Sequence, residues 1–155
     1  MKRKVVITGM GVVSSVGSTL DTFWSRLTAG QSGIRRIRSF DPSVFYCQVA
    51  GEVVEFNVDQ FVVKKDQKRM DPYCHFAIGA SKMAVADAGL DMNAEDPTRA
   101  GVIVGSGVGG LRTIEQQYKV LIEKGPDRCS PFLIPQMIVN MASGNIAIEL
   151  NMKGP

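Results

Sequence analysis

The chain contains two short apolar runs, and each is rich in β-branched residues and has a glycine at or next to its end. The first covers residues 4–10 and the second covers residues 101–105. A continuous apolar run of this length is typical of a strand that is covered on both faces. The pattern therefore predicts two buried strands, and residues 48–53 add a possible short third strand.

Helical spacing of apolar residues predicts four helices between and after these runs. The first starts after Ser18 or Thr19, the second starts at Asp71-Pro72 and stops at Gly89, the third covers residues 111–124, and the last runs from about Ile134 or Gln136 to Leu150. The second helix is made mostly of small residues, which favours close packing against its neighbours. Strands that alternate with helices indicate an α/β fold.

Composition narrows the class of protein. The 155 residues are 45% hydrophobic and 21% charged, and the formal net charge is +3. These values are typical of one globular domain, and the small basic excess does not indicate a nucleic-acid partner. No run approaches the roughly 20 apolar residues of a membrane-spanning helix, and the N-terminus lacks an export signal. We therefore expect a cytoplasmic protein without a membrane partner.

The glycine-rich segment 105–110 (GSGVGG) matches the G-x-G-x-x-G pattern between a predicted strand and a predicted helix. That context is the one in which dinucleotide-binding proteins use the pattern. However, the helix that follows leads to residues 124–127 (KGPD) and not to a second apolar strand with an acidic end. A role in backbone geometry is therefore favoured over nucleotide binding, which stays as an alternative.

The chain has little material for acid–base, nucleophilic or metal chemistry. His75 is the only histidine, and the three cysteines form no CxxC pair. Cys74 and His75 are neighbours on a helix and point about 100° apart, so they do not form a nucleophile and base. Cys47 and Cys129 have no catalytic context. We predict no metal site.

Four positive charges fall within residues 64–69, at Lys64, Lys65, Lys68 and Arg69. Such a cluster is usually a solvated surface. The functional alternative is a surface that docks an acidic partner through long-range electrostatic attraction.

Several segments together resemble the β-ketoacyl-[acyl carrier protein] synthases, the condensing enzymes of fatty-acid synthesis. The similar segments occur in the family's order: 5–14 (VVITGMGVVS), 29–34 (AGQSGI), 68–71 (KRMD), 105–110 (GSGVGG), and 130–132 (SPF) followed by 140–141 (NM). The resemblance implies a thiolase-like α/β fold with layered α-β-α halves, of which residues 1–155 would be one N-terminal domain. It also implies a homodimer.

The chemistry implied by the resemblance is a decarboxylative Claisen condensation. A cysteine carries the acyl chain, and malonyl-acyl carrier protein is decarboxylated and condensed with it. In the family that cysteine lies in a Thr-Ala-Cys stretch soon after a Lys-Gly-Pro motif, and two histidines come later. This sequence ends at that motif, so we expect no catalytic residue before Pro155. The family needs no metal or organic cofactor apart from the phosphopantetheine of the carrier protein.

The resemblance assigns supporting roles to nine residues. Four apolar residues match positions of the acyl pocket: Val108, Leu133, Ile134 and Met137. Five basic residues match the surface that docks acyl carrier protein: Lys64, Lys65, Lys68, Arg69 and Arg128. Asp127 departs from the family pattern, in which a basic residue is common. The same apolar residues are equally compatible with an ordinary core.

The sequence thus predicts the N-terminal half of an acyltransferase that acts in fatty-acid elongation with acyl carrier protein. One alternative is a truncated, non-catalytic relative that binds a partner or the carrier protein. The other is a nucleotide-binding half-domain.

Overall fold

The structure is a computed structural model, and it describes residues 4–155. The elements are six helices, α1 (Leu20–Thr28), α2 (Lys64–Gln67), α3 (Pro72–Asp87), α4 (Leu111–Lys124), α5 (Leu133–Met137) and α6 (Met141–Glu149), and two strands, β1 (Arg35–Arg36) and β2 (Val49–Ala50). Single turns of 3₁₀ helix occur at Val58–Gln60, Pro97–Arg99 and Pro126–Arg128. None of the helices among residues 4–155 is long and apolar enough to cross a membrane.

Local sequence signals explain where the helices start. Thr19 caps α1 by accepting a hydrogen bond from the backbone nitrogen of Thr22, and Asp71 caps α3, which has proline at its first position. A side-chain oxygen before the first turn satisfies backbone donors that have no partner within the helix. These starts, and the bounds of α4, confirm the sequence prediction.

The core lies between α3 and α6. Its fully buried members are Val62, Ile78 and Ile146, and Val102 and Val104 pack against them from outside the helices. Burial of such side chains is the main favourable contribution to folding, at about 25 cal/mol per Å² of apolar surface. The apolar run 101–105 therefore contributes two residues to the packing around α3 and α6.

The small residues of α3 allow the N-terminal segment to cross it closely. A Cβ at Gly9 or Gly11 would overlap the backbone of α3 at Ala84 or Ala80. The backbone nitrogen of Met10 donates a hydrogen bond of 2.8 Å to Asp87 at the end of the same helix. The prediction that α3 packs closely against its neighbours is confirmed.

The two predicted buried strands are not formed within the part of the chain that the structure describes. The only sheet there is the antiparallel pair of β1 and β2, in which Arg35 faces Ala50; β2 lies inside the predicted strand at 48–53. Segments 4–10 and 101–105 have no regular secondary structure, and Val5 and Ile103 are 96% and 97% exposed. The expectation of burial on both faces was wrong because no strand among residues 4–155 lies beside them.

The single long helix predicted near the C-terminus is two helices. Residue Ile138 ends α5 in an extended conformation, and its carbonyl oxygen accepts a hydrogen bond from the hydroxyl of Tyr73 in α3. The same carbonyl also accepts a hydrogen bond of 3.2 Å from the nitrogen of Met141, at the start of α6. Because of this break, α5 and α6 do not share one helix axis.

Candidate functional site

Four of the five residues predicted to dock a partner share one groove. Lys64, Lys65, Lys68 and Arg69 line a cavity of about 460 Å³ together with Phe132, and we call it the basic groove. The helix α2 and the two residues after it supply the cations. Phe132 lies immediately before α5. The pattern of charges did not indicate that an aromatic residue lies beside these cations.

The cations of the basic groove are only lightly neutralised. Lys64 lies 3.8 Å from Asp59 and Arg69 lies 3.8 Å from Asp66, which are long distances for ion pairs. Lys65 and Lys68 have no carboxylate within 4 Å among residues 4–155. Exposed charges of one sign that stay unpaired produce a field that attracts an acidic partner and is screened by salt.

Arg69 is held differently from the lysines. Its guanidinium lies over the ring of Phe132, 5.1 Å from the ring centroid. A hydrogen bond of 2.9 Å from the side-chain nitrogen of Gln136 to the carbonyl of Lys68 also joins α5 to the basic segment. The basic groove is therefore connected to α5 by two contacts.

Arg128 lies apart from the basic groove. It is exposed in the 3₁₀ turn Pro126–Arg128, which follows α4. The residues that line the basic groove do not include it. A part for Arg128 in docking stays a prediction.

The predicted acyl-pocket residues divide into two groups. Leu133 and Met137 line an apolar groove of about 210 Å³ between α4 and α5, whereas Val108 and Ile134 are exposed outside it. The remaining residues of this apolar groove are Ile114, Gln117, Tyr118, Leu121 and Cys129. Ile114, Tyr118 and Leu121 follow helical spacing in the sequence, but only the tertiary structure places them opposite α5.

The glycine-rich loop packs against α5 rather than surrounding an open phosphate site. Gly109 has φ +73°, and a Cβ there would overlap the carbonyl of Met137. The backbone nitrogen of Gly110 donates a 3.0 Å hydrogen bond to the same carbonyl, and that of Gly109 donates to the hydroxyl of Ser106. Because these amides are already bonded, the geometry supports the structural interpretation of the loop over nucleotide binding.

Asp71 joins helix α3 to helix α4. It is 5% exposed, and its Oδ2 accepts hydrogen bonds from the nitrogen and the hydroxyl of Thr113, at 3.0 and 2.8 Å, in the first turn of α4. Its Oδ1 accepts from the nitrogen of Tyr73 in α3. One carboxylate therefore sets the position of α4 relative to α3.

Cys74 and His75 occupy structural positions. Cys74 is buried, and Asn145 of α6 donates to its sulfur at 3.7 Å. Burial raises the pKa of the Cys74 thiol and lowers the pKa of His75, whose ring lies 3.2 Å from the Gln67 carbonyl. A protonated thiol is a poor nucleophile. Among residues 4–155 no three His, Cys, Asp or Glu side chains gather into a possible metal site.

Comparison with known proteins places the chain in a family. The family model for the β-ketoacyl synthase N-terminal domain matches residues 2–155. The chain is 48% identical over 154 residues to the 3-oxoacyl-[acyl-carrier-protein] synthase 2 of Synechocystis sp. and 47% identical to that of Vibrio cholerae. Each match covers 99% of this chain and 37% of the relative.

Solved structures agree with the sequence relatives. The ishigamide ketosynthase/chain length factor is 31% identical, with a TM-score of 0.86 over 96% of this chain and 38% of that chain. A β-ketoacyl synthase from Burkholderia phymatum is 28% identical, with a TM-score of 0.78 over 97% of this chain and 37% of that chain. The predicted fold, the N-terminal half of a thiolase-like α/β fold, is confirmed. The chain belongs to the family of β-ketoacyl synthase N-terminal domains.

Proposed function

We propose that this chain is the N-terminal part of a 3-oxoacyl-[acyl-carrier-protein] synthase, an acyltransferase that elongates fatty acids. The observation that carries the proposal is the 48% identity, over nearly the whole chain, to a relative with that name. The chain spans 37% of that relative's length. The reaction therefore belongs to the full-length protein, and residues 1–155 form one domain of it.

In the proposed reaction, an acyl group is held as a thioester on a cysteine of the full-length protein. Malonyl-acyl carrier protein loses carbon dioxide, and the carbanion attacks the thioester carbon. The carbon–sulfur bond breaks, and the cysteine leaves as a thiolate. We assign this cysteine and the two histidines that stabilise developing charge to the remainder of the protein, and the phosphopantetheine to the carrier.

The basic groove is the proposed docking surface for acyl carrier protein. Lys64, Lys65, Lys68 and Arg69 would attract acidic side chains of the carrier, since two of these cations have no carboxylate within 4 Å in the described part of the chain. Electrostatic attraction of this kind raises the rate of association and weakens with salt. Arg128 would contribute from a separate position.

The apolar groove is the proposed wall of the acyl pocket. Leu133 and Met137 line it together with Ile114 and Leu121 of α4. Val108 and Ile134 are exposed, and we propose that they complete the pocket when a second copy pairs with this one in a homodimer. We also propose a cytoplasmic location, where the three free thiols of residues 4–155 would stay reduced.

The docking proposal is tested by reversing one charge in the full-length protein. Lys65→Glu should raise the KM for acyl carrier protein several-fold at low salt and should leave kcat nearly unchanged. The matched control is Arg35→Glu, which makes the same charge change at an exposed cation of β1. An equal effect of the two substitutions, or no effect of Lys65→Glu, would remove the basic groove as the docking surface.

The activity itself is tested by incubating the full-length protein with acyl and malonyl carrier proteins. Mass spectrometry should detect a β-ketoacyl product two carbons longer than the acyl group. Binding of the carrier without any product would favour the non-catalytic alternative.

A further inference from the structure

We propose that Phe132 positions Arg69 so that its guanidinium binds one carboxylate of the docking partner in a fixed orientation. This inference rests on the proposed docking function of the basic groove. It assigns different tasks to residues that look alike in the sequence. Arg69 would supply orientation, and the three lysines would supply attraction at a distance.

The geometry of a guanidinium group makes this division possible. Its planar face can stack on an aromatic ring, while its N–H donors point outward in the plane and can bind both oxygens of a carboxylate. Arg69 lies over the Phe132 ring at 5.1 Å, with Asp66 3.8 Å from one terminal nitrogen. In the proposed arrangement the ring contacts the face of the guanidinium and leaves in-plane donors for a partner.

The backbone of Phe132, whose ring contacts Arg69, is held in place on both sides. Phe132 precedes the first residue of α5, its nitrogen donates to the hydroxyl of Ser130 at 3.1 Å, and its carbonyl accepts from the nitrogen of Gln136 at 3.0 Å. The side chain of Gln136 then donates to the carbonyl of Lys68, the residue before Arg69. The stacking platform and the stacked residue are thus tied to each other by the backbone as well.

The lysines lack such support. The side chain of Lys64 is 82% exposed, and a carboxylate oxygen of Asp59 lies 3.8 Å from its nitrogen. A lysine ammonium is a point charge on a flexible stem, so a partner must restrict that stem on binding. Arg69 has already lost part of this freedom, and binding to it costs less conformational entropy.

The chemistry of the groove therefore fits a protein that presents one Asp or Glu side chain opposite Arg69, among other acidic residues. A bidentate pair depends on contact and is lost mainly through faster dissociation. Attraction to the lysines acts before contact and changes the association rate. Rate measurements can separate the two effects.

The test is a double-mutant cycle in the full-length protein with acyl carrier protein as the partner. Phe132→Leu should weaken binding by roughly two- to five-fold through faster dissociation, the range for an exposed cation–aromatic contact. Arg69→Lys should weaken binding at least as much. In the Arg69→Lys background, Phe132→Leu should have no further effect, because a lysine has no planar group to orient.

Two controls accompany the cycle. Phe132→Tyr keeps the ring face and should bind like the wild type, which separates the stacking from a general effect on folding. Phe45→Leu removes an exposed aromatic residue whose ring contacts that of Phe40, away from the basic groove, and it should leave binding unchanged.

Equal weakening by Phe132→Leu in both backgrounds would overturn the inference, because Phe132 would then contact the partner directly. No weakening by Phe132→Leu would overturn it as well. If the wild type fails to bind the carrier protein, the proposed function itself is wrong, and this result is distinct from a failure of the cycle.

Discussion

At the scale of single residues, Asp71 connects α3 to α4. Its carboxylate accepts hydrogen bonds at the starts of both α3 and α4, and it does so in a buried place. The sequence showed only the cap of α3, because a capping aspartate before proline is a local signal. The bond to Thr113, 42 residues further on, has no local signal.

Asp71→Ala should therefore destabilise the protein by about 2–4 kcal/mol, because a cap is lost and buried donors of Thr113 lose their partner. The measurement is the free energy of unfolding of the full-length protein in urea. Asp96→Ala is the matched control, since Asp96 caps an exposed 3₁₀ turn through Thr98. It should cost about 1 kcal/mol or less. Equal losses would contradict the role given to Asp71.

His75 predicts a pH dependence with a definite sign. Burial lowers the pKa of His75 in the folded state, while the Gln67 carbonyl and the charge of Asp71 partly oppose this effect. The unfolded chain therefore takes up the proton first, near pH 6.5. The stability contributed by neutral His75 is fully present above that pH and is lost as the pH falls below it.

The check is to compare the thermal unfolding midpoints of the wild type and His75→Gln between pH 7 and pH 5. The wild type should lose stability relative to the variant as the pH falls. A constant difference would show that folding does not lower the pKa of His75, and a relative gain would reverse the sign.

At the scale of elements, the glycine-rich loop and α5 form one unit. Gly109 has a positive φ, and its neighbour Gly110 bonds to the Met137 carbonyl, so the loop and α5 share a backbone contact. Because Met137 also lines the apolar groove, a substitution that moves the loop should also move one wall of that groove.

Gly109→Ala should destabilise the protein by at least about 1 kcal/mol, because alanine disfavours this φ and its Cβ would displace α5. Gly107→Ala is the control, since a Cβ at Gly107 meets nothing within 4 Å. It should change the unfolding free energy by less than about 0.5 kcal/mol. Equal effects in urea unfolding would show that the loop is not packed against α5.

At the scale of the whole molecule, the most unusual feature is the exposure of apolar extended segments. Val5, Val6, Ile7 and Ile103 are largely exposed although their sequence is typical of buried strands. An uncovered apolar segment with unpaired backbone groups tends to associate with another chain.

The 155-residue chain produced by itself should therefore self-associate. Sedimentation should show oligomers or aggregates at micromolar concentration, and Ile7→Lys with Ile103→Lys should reduce them. Leu90→Lys is a control at an exposed apolar residue outside both segments. A single monomeric species for the unsubstituted chain would contradict the prediction.

The sequence by itself determined the family, the starts of α1, α3 and α4, and the cluster of cations. These features depend on residues that are close along the chain, such as Asp71 before Pro72 or the charges of residues 64–69. Local geometry is enough to satisfy a helix cap or to concentrate charge.

Only the tertiary structure decided which strands form, where the last helix breaks and which cation is oriented. A strand needs hydrogen-bonded neighbours that are distant in sequence, Tyr73 bonds to the carbonyl at the break, Ile138, and Arg69 meets Phe132 across 63 residues. Each outcome requires a partner brought near by folding, and no pattern of neighbouring residues contains that information.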